Sequence, residues 1–157
     1  MSGWSAPDFL DQLKILLDAR TGLTGLTPTV KVFTYWPALE ESVTDAIILA
    51  SAEDTDEQTV MNPASKPRDE DVTVDGLIWV SRAGAGETIA QAARDRAQLI
   101  LNEVDEQLRT IPPAVVLSRQ AGIVSHRLDQ RPSDSAGAAV RVCVLDFTIR
   151  YRARTTT

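Results

Sequence analysis

Between Thr88 and Thr110, apolar side chains recur every third or fourth residue through Ile89, Ala93, Ala97, Ile100, Val104 and Leu108 to Ile111. Arg94, Asp95, Gln98, Glu103 and Glu106 fall between them. This spacing predicts a helix with one buried face. Pro112 and Pro113 stop it, since proline brings no N–H and clashes with the preceding turn. Such a helix runs about 35 Å, the width of a small domain. Its apolar stripe needs an equally long surface to lie on, and the segments around it are strand-like. The chain is therefore expected to fold as helix on sheet.

Val72 to Ser81, with Leu77, Ile78, Trp79 and Val80 at its heart, predicts the strand that enters this helix through Gly84-Ala85-Gly86. Val30 to Trp36 is a second strand, closed by Pro37, and the unbroken apolar run of Ala46 to Ala52 predicts a third, buried on both faces. A connecting strand spans Gly122 to Leu128, and Asp129 to Gly137 has the composition of a turn or hairpin tip. In the closing strand Arg141, Cys143, Leu145, Phe147, Ile149 and Tyr151 share one face, and Val140, Val142, Val144, Asp146, Thr148, Arg150 and Arg152 share the other. Its second half is apolar on one face only, which predicts a place at the sheet margin or against a neighbouring molecule. A first helix begins near Pro7, with Ser5 as N-cap, Asp8 and Asp11 at the positive dipole end, and Leu10, Leu13, Leu16 and Leu17 inward. Gly22 and Gly25 are expected to end it. The 157 residues suit one domain that buries roughly two thirds of its unfolded surface. The expected fold class is α+β: a single domain over residues 1–157, with a mixed β-sheet of about four to five strands and two main helices packed on it.

Composition removes several classes of function. Hydrophobic residues make up 43% and charged residues 24%, an ordinary globular balance. The longest apolar runs fall far short of the roughly 20 residues that cross a bilayer, so no membrane partner is expected. Met1-Ser2-Gly3-Trp4 lacks a basic region followed by an apolar one, so no secretory signal is expected and synthesis is expected to be intracellular. One cysteine, Cys143, cannot close an intrachain disulfide, and with His126 as the single imidazole there is no zinc-ligand set. Cys143 reads as a buried strand residue and His126 as a surface one. Gly84 and Gly86 after a strand superficially match a dinucleotide-binding turn, but Ile89 stands where the third glycine is required, so the two glycines read as a simple strand-to-helix turn. No catalytic set, cofactor site or metal site is expected. Trp4 reads as a tail anchor, and Trp36 and Trp79 as core or interface residues.

The net charge of −6 is unevenly distributed. Residues 53 to 75 carry eight acids against Lys66 and Arg68, for −6; residues 119 to 157 carry seven arginines against Asp129, Asp134 and Asp146, for +4. An acidic total disfavours a DNA-coating role, and the arginines at 150, 152 and 154 read as a charged strand edge that resists aggregation. The acidic stretch from residue 53 to 71, with Pro63 and Pro67 and few apolar residues, predicts a flexible loop or arm, functional or disordered. Opposite charge at two places suits copies packing acidic side to basic side. The candidate subunit or partner interface is therefore Glu53, Asp54, Asp56, Glu57, Asp69, Glu70, Asp71, Arg141, Arg150 and Arg152.

The order of elements carries one further reading. The residues concerned are the Phe9 to Leu17 helix leading to Val30-Lys31-Val32-Phe33-Thr34-Tyr35-Trp36-Pro37; Ala46-Ile47-Ile48-Leu49; the strand-turn-helix from Val72 to Leu108; and the closing pair Gly122-Ile123-Val124-Ser125 and Ala139 to Ala153. In this layout, across nearly its whole length, the chain resembles the tail terminator (tail-completion) proteins of long-tailed bacteriophages. The resemblance implies a non-enzymatic virion protein that forms a homohexameric ring, caps the tail tube protein and offers the surface that joins the head–tail connector protein. It implies a place at the head-proximal end of the tail after assembly in the host cytoplasm, with DNA passing through without being specifically bound. The acidic arm would repel phosphate if it lined that channel, and it could equally face outward. A head-closure or connector adaptor of the neck shares this layout and size, and a small enzyme of unknown reaction is a more distant alternative.

Overall fold

The computed structural model describes residues 5–37, 43–54, 68–110, 121–135 and 138–155. Ala6–Asp18 forms α1, with Pro7 in its first turn. Ser5 takes the N-cap position, yet its hydroxyl bonds none of the helix N–H groups. It donates instead to Glu70 Oε2 at 2.5 Å, and the Ser5 N–H reaches the same oxygen at 3.1 Å. A carboxylate thus sits at the positive end of the helix dipole, where negative charge is stabilised. α1 ends at Asp18, before the two glycines expected to stop it, because Arg20 is extended. A short helical turn, α2 (Thr21–Thr24), follows and Gly25 caps it. Arg20 reaches across to the long helix and donates to Glu103 at 2.5 Å and Glu106 at 2.8 Å.

Five strands form one sheet. β1 (Val30–Phe33) lies parallel to β2 (Asp45–Asp54), which is antiparallel to β3 (Arg68–Ala83). After α3 (Glu87–Arg109), β4 (Gly122–Ser135) and β5 (Ala138–Thr155) complete the sheet in the order β1-β2-β3-β5-β4, with β5 antiparallel to both of its neighbours. The fold is α+β, a mixed five-stranded sheet with two main helices, as the sequence predicts. Gly84 and Gly86 have φ of +117° and +109°, which L side chains rarely adopt, and so turn β3 into α3.

Strand boundaries depart from expectation in four places. β1 stops at Phe33, three residues short, leaving Tyr35 and Trp36 outside it. β2 runs on to Asp54 and β3 begins at Arg68, so both ends of the expected acidic loop are strand; residues 55–67 of it lie outside the described residues. β4 continues through Asp129 to Ser135, where turn composition suggested a hairpin tip, because β5 pairs with it throughout. β5 is internal as far as Arg150; beyond it, among the described residues, β5 pairs with β3 alone, with Arg152 opposite Asp71, so its end lies at the sheet margin as the sequence predicts.

The core lies between one sheet face and the two main helices. Ala93, Ala97, Ile100, Val104 and Leu108 of α3, with Phe9, Leu13 and Leu17 of α1, pack over Ile47, Val74, Ile78, Leu145, Phe147 and Ile149. Phe9 stacks on Tyr151, with ring centroids 4.1 Å apart and planes 28° apart. Gly76 faces Phe147 so closely that a Cβ would enter the ring. Among the described residues, no helix is long and apolar enough to cross a membrane.

Ile100 and Val104 are fully buried, whereas Gln98 on the same helix is exposed. Ile100→Ala or Val104→Ala should cost about 2 to 4 kcal/mol through lost burial and a residual cavity, and Gln98→Ala should be nearly neutral. Urea melts of the three variants measure this, and equal effects at all three positions would contradict the packing.

Candidate functional site

α1 and α3 cover one face of the sheet, and the register fixes what stands on the other. One row across that far face runs Ala46, Trp79, Val144, Asp129; the next runs Ile48, Leu77, Asp146, Arg127. Further along stand Asp75, Thr148 and Ser125, then Glu53, Thr73, Arg150 and Gly122, then Asp71 and Arg152. The face is thus apolar near β2 and charged toward β4 and toward the end of the β3–β5 ribbon. Ala46, Ile48, Val142 and Val144 are buried here, outside the contiguous core cluster. At the β1 end, Tyr35 and Trp36 are 61% and 66% exposed, and Tyr35 meets Phe33 edge-to-face at 5.7 Å. Where β4 stops and β5 continues, Ala121 to Val124 and Arg150 to Arg152 line an open groove of about 410 Å³.

Four of the ten candidate interface residues come together. Glu53, Asp71, Arg150 and Arg152 share the far face, and there the two oppositely charged stretches meet within one chain. Arg150 grips Asp71 with two hydrogen bonds of 2.9 and 2.5 Å, and Asp75 accepts from Thr148 at 3.1 Å. Arg150 holds the Asp71 carboxyl below the usual carboxylate range, and Asp71 in turn raises the guanidinium. The charge polarity of the sequence is therefore partly cancelled by strand pairing. Arg141 and Glu70 lie on the helix-covered face. Asp54 and Asp69 are strand residues of β2 and β3, and Asp56 and Glu57 lie outside the described residues.

Sequence reasoning missed the two buried carboxylates that close the core. Asp45 is 0% exposed and receives Arg82 at 2.5 and 3.0 Å, with Arg96 of α3 at 3.4 Å. The available signal was an acid directly opening an apolar run. Glu70, 1% exposed, holds Ser5, whose hydroxyl lies 3.1 Å from Tyr151 Oη; Glu70 Oε1 is buried with no hydrogen-bond partner among the described residues. Tyr151 of the Glu70 cluster also lines the open groove beside Arg150 and Arg152. His126 is exposed on β4, and Cys143 is buried on β5 beside Arg141, with desolvation pushing its thiol up. Among the described residues, no group of three His, Cys, Asp or Glu could hold a metal ion. What the charged, exposed part of the far face (Asp75, Arg127, Asp146 and Arg150), the exposed aromatics and the charged edge offer chemically is contact area.

No protein-family model matches this chain, and no curated protein matches it. Solved structures do match, among them a chain described as "Virion of native gene transfer agent (GTA) particle", which is 20% identical. That alignment covers 97% of this chain and 100% of the other, with a TM-score of 0.47. A likeness of that degree fixes neither the function nor the partners of this chain.

Two outcomes follow from the electrostatics. Asp71 has a folded pKa below its unfolded value near 3.9, so its contribution is present above that value and is lost as pH falls through the folded one. The stability gap between wild type and Asp71→Asn should therefore be small, positive at pH 7 and absent in strong acid; a gap independent of pH in thermal melts would contradict this. The Cys143 thiol, buried and pushed up, should react with a disulfide reagent at neutral pH only after unfolding, and immediate labelling of the native protein would refute its burial.

Proposed function

We propose that this protein acts by assembly, without turnover, as a ring that caps the end of a bacteriophage tail tube and presents the surface that meets the head. The observation that supports this reading is the layout. The elements on which the resemblance to tail terminators rests form a single sheet with both main helices on one face. The aligned chain belongs to a virion particle; virion membership is for this chain part of the same proposal.

A ring closed head to tail needs two unlike surfaces on each protomer. The described sheet ends in two unlike edges: β1, four residues long with Tyr35 and Trp36 exposed beyond it, and β4, fourteen residues long and charged. Six copies, contact with a tail tube protein on one side and a head–tail connector on the other, and passage of DNA through the centre are the finer content of the proposal. Asp71 and Arg150 already satisfy each other inside one chain. The exposed Trp36 is therefore a cleaner probe of assembly than reversal of the arginines.

Complementation tests the reading. Extracts lacking this protein should accumulate tails of uncontrolled length that do not join heads, and adding the protein should restore infectious particles. Trp36→Ala should melt close to wild type, since surface substitutions usually shift stability by less than about 0.5 kcal/mol, and yet restore far fewer particles. Normal, head-attached tails in the protein's absence would sink the proposal. Tails of correct length that fail only at the head would favour the adaptor reading.

A further inference from the structure

β4 is an edge strand with side chains exposed on both of its faces. Among the described residues, no strand pairs with its outer edge. His126, Gln130 and Leu128 stand on the face that the helices cover elsewhere, yet all three are exposed, Leu128 by 44%. Arg127 and Arg131 are exposed on the opposite face. An exposed edge of this length is a template for another strand unless it is blunted. Two features blunt it, each at a defined place. A register shift between Ile123 and Ser125 leaves Val124 bulged and 59% exposed, and Pro132 has no N–H to give. The regular edge between them is Ser125 to Arg131, and its midpoint is Leu128.

We infer that this edge binds a second copy of itself, antiparallel, about a two-fold axis through Leu128. A two-fold axis perpendicular to the sheet keeps side-chain faces together, so only registers that pair a residue with one of the same face are allowed. Centred on Leu128, Arg127 of each copy lies opposite Asp129 of the other, Leu128 lies on Leu128, and His126 lies opposite Gln130. Centred on Asp129, the pairing would set Asp129 against Asp129 and Arg127 against Arg131. Centred on Arg127, it would set arginine against arginine, and like charges directly opposite are destabilising. Centred on Gln130, it would carry Pro132 into the ladder opposite Leu128. The Leu128 register uses the whole regular edge, pairs unlike charges on both sides and buries the exposed leucine. Asp129 bridges Arg131 of its own chain at 2.7 Å, so in the pair each Asp129 stands between two arginines.

This contact is isologous and so separate from the head-to-tail contact of a ring; it goes beyond the tail-terminator reading and can fail without it. Sedimentation of the full chain across a concentration series should show a dimer step. R127D and D129R, each of which places like charges opposite at both symmetric positions, should weaken that step about tenfold or more. An equimolar mixture of the two variants should recover it, because every pair in the mixed dimer is again unlike. Circular dichroism of each variant should match wild type. In a Cys143→Ala background, Leu128→Cys should form an interchain disulfide under mild oxidation, since facing Cβ atoms lie about 4.5 to 5.5 Å apart. Ser125→Cys, opposite Arg131, should not. No dimer step, dimers unaffected by R127D and D129R, failure of the mixture to recover, or equal cross-linking at positions 125 and 128 would each overturn the inference. A larger ring without the Leu128→Cys cross-link would overturn it while leaving the ring reading standing.

Discussion

Every residue of β3 is paired with β5, from Arg68 opposite Thr155 to Ala83 opposite Val140, and the rest of the structure depends on that ladder. It joins two segments roughly seventy residues apart in the chain. Strands this distant pair only when side chains on both faces reward the closure entropy of the intervening chain. On the covered face the reward is apolar: Val72, Val74, Ile78 and Val80 stand beside Tyr151, Ile149, Leu145 and Cys143. On the far face it is electrostatic, with Asp71 held by Arg150. α3 is the crossover between β3 and the β4–β5 pair, and its stripe lies on the sheet that the ladder creates.

A buried carboxylate stands at each end of the apolar core. Asp45 is beside Val80 in register and draws in Arg82 and Arg96, joining β2, β3 and α3. Glu70, at the other end of β3, holds the first turn of α1, and the Phe9–Tyr151 stack continues the attachment. Buried charges contribute little net stability, because desolvation offsets attraction, but removing one partner is costly. Such pairs fix where a helix lies on a sheet more than how strongly it is held. Arg20, reaching Glu103 and Glu106, performs the same task between α2 and α3 at a wetter site.

With both main helices on one side, the exposed surfaces among the described residues include the charged part of the far face, the Tyr35–Trp36 corner and the outer edge of β4. These are broad and mixed in polarity, as surfaces that meet other proteins are. Asp45 and Glu70 bond inward, to Arg82, Arg96 and Ser5 of the same fold.

The helix over Glu87–Arg109, the strand cores around Ile47, Ile78 and Leu145, the two-glycine turn and the α+β class were readable in the sequence, because each is set by local periodicity or by backbone freedom at a single residue. Strand ends were not. Glu53, Asp54 and Asp129 to Ser135 have the composition of loop, and only a paired neighbour makes them strand. The candidate surface divided in the same way. Sequence reasoning found opposite charge at two places, and tertiary structure decided that Asp71 and Arg150 meet within one chain while Glu70 turns inward. Charge is a property of residues, but whether it faces solvent, a neighbour or its own partner depends on register, and register is set by all the side chains of a sheet at once.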